Sequence, residues 1–136
     1  MAATEAFVVD ASAFAKVFLE QPQSPAFREW RRKALVRGHR LLAPTLLPYE
    51  LGNVLLREFK GDRGKWEPAL TEILLGVLLE LPSFPQVFLA AEGLTFYDAS
   101  YLALAQEHDG TLVSYDRDLL GRATKAGCPV LSPGAK

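Results

Sequence analysis

LTFYDASYLALAQEHDGTLVSYDRDLL, residues 94–120, carries the alternation that decides the fold. An Ala- and Leu-rich helix over 96–108 runs into an apolar strand over 111–115, and a further helix opens at 117. Strand-like runs recur at 6–10 (AFVVD), 40–43 (RLLA), 79–82 (LLEL) and 129–131 (PVL). Helix-like stretches lie between them, over 12–20, 25–37, 45–60, 66–78 and 85–92, with the last at 117–126. This alternation predicts an α/β fold: a mostly parallel central sheet of about five strands with helices on both faces. In open sheets of that kind, ligands bind beyond the carboxyl ends of the strands, where the strand order switches.

Four acids stand where that rule directs attention. Asp10 ends the first apolar run, and a carboxylate there is costly to desolvate unless something compensates it. Asp is also a favoured N-cap, so Asp10 can open the next helix, with Ser12 sharing the role. Glu50 lies in TLLPYELGNVLLREFK, where Thr45 is a plausible N-cap and Pro48 falls in the first turn. Leu47, Leu51, Val54 and Leu55 mark a buried stripe of that helix, while Glu50, Asn53 and Arg57 share another. Asp98 follows Thr95 in the S/T-x-x-D/E capping pattern. Asp116 can cap the last helix, with Asp118 in its first turn. Each acid therefore has a structural explanation. Together they gather at helix starts on one edge of the sheet, where several carboxylates raise one another's pKa. A divalent cation relieves that repulsion, and oxygen donors without His or Cys suit Mg²⁺ or Mn²⁺. His39 and His108 are not adjacent to the acids in sequence and read as surface residues.

The bulk properties bound the alternatives. The chain has 136 residues, 49% of them hydrophobic and 23% charged, values ordinary for one soluble globular domain. No apolar run reaches the roughly 18 residues of a membrane span, and no cationic stretch precedes an apolar core at the N-terminus. An intracellular, cytoplasmic protein without a signal peptide is expected. A single cysteine, Cys128, excludes an internal disulfide or a cysteine zinc cluster. The net charge is −1, yet residues 1–65 carry eleven Lys/Arg against seven Asp/Glu, and residues 66–136 four against nine. Such asymmetry permits a basic surface beside an acidic pocket. FREWRRKALVRGHR supplies Arg28, Arg31, Arg32, Lys33, Arg37 and Arg40, and KGDRGK supplies Lys60, Arg63 and Lys65; a solvated surface is the competing role for both. LLREF, LLGVLLEL and FPQVFL can leave apolar patches for partners, although core packing is the expected role of most of their residues.

VVDASAF, APTLLPYELGNVLLR and the 94–120 stretch together resemble a PIN-domain ribonuclease, in particular the toxin of VapBC-type toxin–antitoxin pairs. The resemblance covers essentially the whole chain, 1–136, as one nuclease domain. It implies a three-layer α/β/α sandwich around a parallel sheet. It implies an acidic quartet of Asp10, Glu50, Asp98 and Asp116 that holds Mg²⁺ or Mn²⁺ and hydrolyses RNA phosphodiester bonds. Ser12 matches the family's small hydroxyl residue two positions after the first acid. Ser114 stands where Thr is common, a departure that keeps the hydroxyl. Asp118 is an extra acid that some members carry, and Asn53 and Arg57 are possible supporting residues. A homodimer and a cognate antitoxin are the implied partners.

Two rivals differ in class. A Mg²⁺-dependent phosphatase with an aspartyl nucleophile needs a second Asp at position 12, where this chain has Ser12, and a lysine at a later strand end, where none follows LVSY. A scaffold that binds RNA or protein without cutting it would be expected to have lost some of the acids, and all four are present.

Overall fold

The computed structural model describes residues 4–135. Its elements, in chain order, are β1 (Ala6–Val9), α1 (Ala11–Phe14) extended by a 3₁₀ turn (Ala15–Val17), α2 (Ser24–Val36), β2 (Arg40–Pro44), α3 (Leu47–Phe59), α4 (Arg63–Leu75), β3 (Leu78–Glu80), α5 (Phe84–Ala90), α6 (Phe96–Glu107), β4 (Thr111–Val113), α7 (Arg117–Lys125) and β5 (Val130–Leu131). The sheet order is β3-β2-β1-β4-β5, and every pairing is parallel. The chain moves outward from β1 to β3 on one side, then crosses back to β4 on the other. The switch in order therefore lies between β1 and β4, whose carboxyl ends carry Asp10 and Ser114.

The sequence explains this arrangement. β1 is buried along its whole length, as expected of a central parallel strand covered on both faces. Strand alternation sends Phe7 to one face, where its ring meets Trp30 of α2 edge-on at 5.1 Å. α6 packs over β1, β2 and β4. It is buried without a break from Ala99 to Ala105, so small and branched apolar residues surround it on all sides. Gly110 carries the chain from α6 into β4, where a Cβ would lie 2.7 Å from the Ala6 carbonyl oxygen, which leaves room for no side chain.

Several expectations need correction. The run after β1 is one turn of α-helix and a 3₁₀ turn rather than a helix to residue 20. Thr45 does not cap α3; Leu46 holds that position without a side-chain bond, and the Thr45 N–H pairs with the Glu80 carbonyl. The helix expected over 66–78 is shifted: α4 runs Arg63–Leu75, capped by Asp62, and carries Pro68 inside it. His39 and His108 are half-buried rather than free on the surface: His39 accepts the Glu5 N–H and packs on Phe7, and His108 bonds Glu80. The apolar segments are less buried than expected. Leu55, Val77 and Val87 enter the core, but Leu56, Leu75, Leu78, Leu79, Leu81, Phe84, Phe88 and Leu89 are exposed. The cause is position: β3 is a short edge strand, and α5 is a two-turn helix with one inward face. No helix among the described residues is long and apolar enough to cross a membrane.

Candidate functional site

Asp10 follows β1 directly and N-caps α1. Its Oδ1 accepts the Ala13 N–H at 3.0 Å and the Ser12 hydroxyl at 2.7 Å, and its Oδ2 accepts the Ser114 hydroxyl. Its own N–H donates to the Val113 carbonyl, so the β1–β4 ladder fixes the carboxylate at the switch point. Only 5% of Asp10 is exposed. Its pKa is raised to about 6: burial is the main cause, the bonds from Ser114, Ser12 and Ala13 oppose it, and the charge of Asp116 adds to it. Three donors thus offset only part of the desolvation, and the carboxylate is held in a site that disfavours its charge.

The other acids approach from separate elements. Asp116 N-caps α7 through Oδ1, which accepts the Asp118 and Leu119 N–H groups. The Ser114 hydroxyl that donates to Asp10 also accepts the Asp116 N–H, which ties the two strand-end acids together. Asp98 lies in the first turn of α6, where Thr95 is the N-cap and accepts the Asp98 N–H. The Asp98 carboxyl is raised by burial and then by the charges of Asp116 and Asp118. Glu50, in the first turn of α3, is raised by burial and by Asp98, against a hydrogen bond from Tyr101. The quartet named from the sequence therefore converges within Coulombic reach at one edge of the sheet.

Convergence is not closure. Among the described residues, no three Asp, Glu, His or Cys side chains stand close enough together to enclose an ion. The donor chemistry nevertheless fits a hard dication. The acids offer oxygen only, burial and mutual charge raise Asp10, Glu50 and Asp98 alike, and the histidines are committed elsewhere.

Ser12 joins the acids in a role beyond capping, since its oxygen also accepts the Tyr115 N–H. Asp118 is exposed in the first turn of α7. Asn53 and Arg57 are exposed on α3 and line a groove with Glu50, Ala11, Val54 and Leu56. Tyr101 was missed by sequence reasoning. It is fully buried, its hydroxyl donates to Glu50 Oε1 at 2.6 Å, and its pKa is raised by burial and by the charges of Glu50, Asp10 and Asp98. In sequence it is one more apolar-face residue of α6; the available signal was its place one turn after Asp98, on the same helical face.

The basic segments do not gather at this edge as a free surface. Arg28 pairs with Glu20, Arg31 with Glu72, Arg32 and Lys33 with Glu29, and Arg63 with Glu67. α2 ends at Val36 and feeds the start of β2 at Arg40, which places Arg37 and Arg40 at the opposite edge of the parallel sheet.

The PIN domain family profile matches residues 7–125. Exonuclease VapC9 of Pyrobaculum aerophilum is 39% identical over 84 residues, a match spanning 57% of this chain and 63% of that protein. Ribonuclease VapC3 of the same organism is 31% identical over 124 residues, covering 82% of this chain and 90% of that protein. The crystal structure of Mycobacterium tuberculosis VapC20, titled a Sarcin-Ricin loop cleaving toxin, superposes with a TM-score of 0.66 at 18% identity over 93% of this chain and 99% of that one.

Proposed function

This chain belongs to the PIN-domain family, and on that premise we propose that it is a metal-dependent endoribonuclease, the cytoplasmic toxin of a toxin–antitoxin pair. The observation that carries the reading is Asp10: a buried carboxylate at the β1–β4 switch point, braced by two serine hydroxyls and under the charge of Asp116, itself coupled through Asp98 to Glu50. The nuclease names of VapC9 and VapC3 and the toxin title of VapC20 support it.

Asp10, Asp98 and Asp116 would hold Mg²⁺ or Mn²⁺ directly or through water, with Glu50 at a second ion or orienting the attacking water. A bound dication would lower the pKa of that water and stabilise charge on the phosphoryl oxygens. The chain's own residues do the positioning. Ser12 and Ser114 fix both oxygens of Asp10, and Ser114 sets the backbone that presents Asp116. Tyr101 holds one oxygen of Glu50 and leaves the other for the site. Asn53 and Arg57 extend from Glu50 along α3. The exposed aromatic cluster of Phe84, Phe88 and Phe96 supports a homodimer, and an antitoxin segment over the acidic edge would silence the enzyme. The whole of 1–136 acts as one domain in this reading.

The test is cleavage of a panel of defined RNAs in Mg²⁺ or Mn²⁺ and in EDTA. Internal cuts that need the metal are expected. Intact RNA across the panel, or cleavage that EDTA does not touch, overturns the reading.

A further inference from the structure

Beside the acidic edge lies a second groove, of about 530 Å³, whose lining includes Ser12, Lys16, Gln21, Arg57, Glu58 and Tyr115. Ser12 belongs to this groove and to the Asp10 hydrogen-bond network at once, so the two sites are contiguous. Arg57 lines both this groove and the one holding Glu50 and Asn53.

Lys16 is the unusual member. It is only 6% exposed, yet it carries a primary amine. Its Nζ donates to Gln21 Oε1 and sits 4.4 Å from the centroid of the Tyr115 ring. Both partners are neutral, and no carboxylate among the described residues pairs with it. Desolvation lowers its pKa, as expected of an ammonium whose lost hydration is only partly replaced. Other shielded cations here have an acid: Arg31 has Glu72 and Arg122 has Glu92. Arg57 likewise forms no ion pair with a described residue, and Glu58 on the rim pairs with neither cation. Two uncompensated cations facing one groove favour a singly charged oxyanion between them.

We propose that the Lys16–Tyr115–Arg57 groove is a phosphate subsite for the RNA strand, seating the phosphodiester adjacent to the one presented to Asp10. This rests on the ribonuclease reading above and deepens it. Lys16 supplies the fixed, shielded charge, the Tyr115 ring holds the ammonium in place, and Arg57 closes on the strand from α3.

The test separates binding from cleavage. A fluorescein-labelled single-stranded RNA hexamer is titrated in EDTA across a salt series and followed by anisotropy. Lys16→Gln and Arg57→Gln are each expected to weaken binding about tenfold and to flatten the log–log salt slope by about 0.7. Lys16→Arg should restore most of the affinity, and Lys33→Gln on α2 should bind as wild type. Binding by Lys16→Gln and Arg57→Gln within about twofold of wild type, with unchanged slopes, overturns the subsite. So does an equal loss in Lys33→Gln. If Lys16→Gln unfolds, exposed Arg57 carries the same test. A wild-type protein that binds through Lys16 and Arg57 but cuts no RNA with metal sinks the nuclease reading and leaves the subsite. Metal-dependent cleavage with KM unmoved in both variants sinks the subsite and leaves the nuclease. Failure of wild type to bind RNA in EDTA overturns the subsite and leaves the nuclease reading to the cleavage test.

Discussion

On α2, every cation has a carboxylate within reach: Arg32 and Lys33 share Glu29, while Arg28 and Arg31 reach Glu20 and Glu72. At the carboxyl edge of the sheet, Asp10, Glu50 and Asp98 are raised first by burial and then by a neighbouring acid, Asp116 for Asp10 and Asp98 and Asp98 for Glu50, and no cation among the described residues pairs with them. The two regions are comparably rich in charged side chains but organise them in opposite ways. Exposed i,i+3 and i,i+4 pairs are solvated, screened and weakly coupled, so the face of α2 is electrically quiet. The acidic edge keeps its charges close together in a partly dry place, and the cost of doing so points to a ligand that relieves it. Charge counts along a sequence do not separate these cases; compensation in space does.

Removing Asp10 is the strongest test of that contrast, because it should move activity and stability in opposite directions. Asp10→Asn is expected to lower metal-dependent cleavage on the order of 10³-fold, since several kcal/mol of transition-state stabilisation pass through that carboxylate. The fold should gain. A carboxyl raised from 3.8 to about 6 contributes stability that is complete below pH 3.8 and is lost as pH rises through about 6. Above pH 7 the ionised group then costs about 3 kcal/mol. Asparagine keeps an acceptor for Ser12 and Ala13 and never ionises. In EDTA, thermal melts should show Asp10→Asn more stable than wild type at pH 7.5, with the gap closing toward pH 5. A variant that is destabilised at pH 7.5 would mean the carboxylate is compensated after all, and the contrast with α2 would fail.

Tyr101 sharpens the comparison from inside the acidic edge. Its hydroxyl is the one neutral donor on Glu50 among the described residues, and it is delivered by α6, the helix that also carries Asp98. Tyr101→Phe removes the donor and leaves the ring packing in place. Groups that orient a metal ligand typically matter by 10- to 100-fold, so Mn²⁺ affinity by calorimetry and kcat should each fall by about tenfold. The melting temperature should change little, because Glu50 is half-exposed and water can replace the lost bond. A large loss of stability with unchanged Mn²⁺ affinity would make Tyr101 a core residue only.

Most of the fold was legible because its strands are short apolar runs with turn residues and amphipathic or Ala-rich helices between them. The 96–108 helix was set to within one residue, as α6, and the 111–115 strand starts where expected but ends two residues early, as β4. Asp10, Glu50, Asp98 and Asp116 were legible as a set because each opens, or nearly opens, a helix that the parallel topology brings to one edge. Pairing was not legible. Nothing in FREWRRKALVRGHR announces that Arg31 will find Glu72, or that Lys16, between Ala15 and Val17, will be buried against the Tyr115 ring. Tyr101 was hidden for the same reason: its partner is 51 residues away. Exposure of Phe84 and Phe88 was also illegible, because a short apolar segment reads alike as core or as interface.

The smallest predicted effect is the most discriminating for the basic half of the chain. Arg32→Gln and Lys33→Gln each remove a positive charge from the segment that sequence alone offered as the RNA surface. Both charges are exposed and share the single carboxylate of Glu29, so the cluster keeps a net charge of only +1, and what remains of its field is screened within about 10 Å by salt. RNA affinity should therefore shift by less than about twofold in either variant, with no measurable change in salt slope. Glu29→Gln turns the argument around: it frees two cations at once, and if pairing is what silences α2, RNA binding should tighten slightly and become more salt-dependent. Loss of affinity in Arg32→Gln or Lys33→Gln comparable to that in Lys16→Gln would show that a paired surface charge still reads the strand, and that compensation is the wrong criterion for finding the RNA path on this fold.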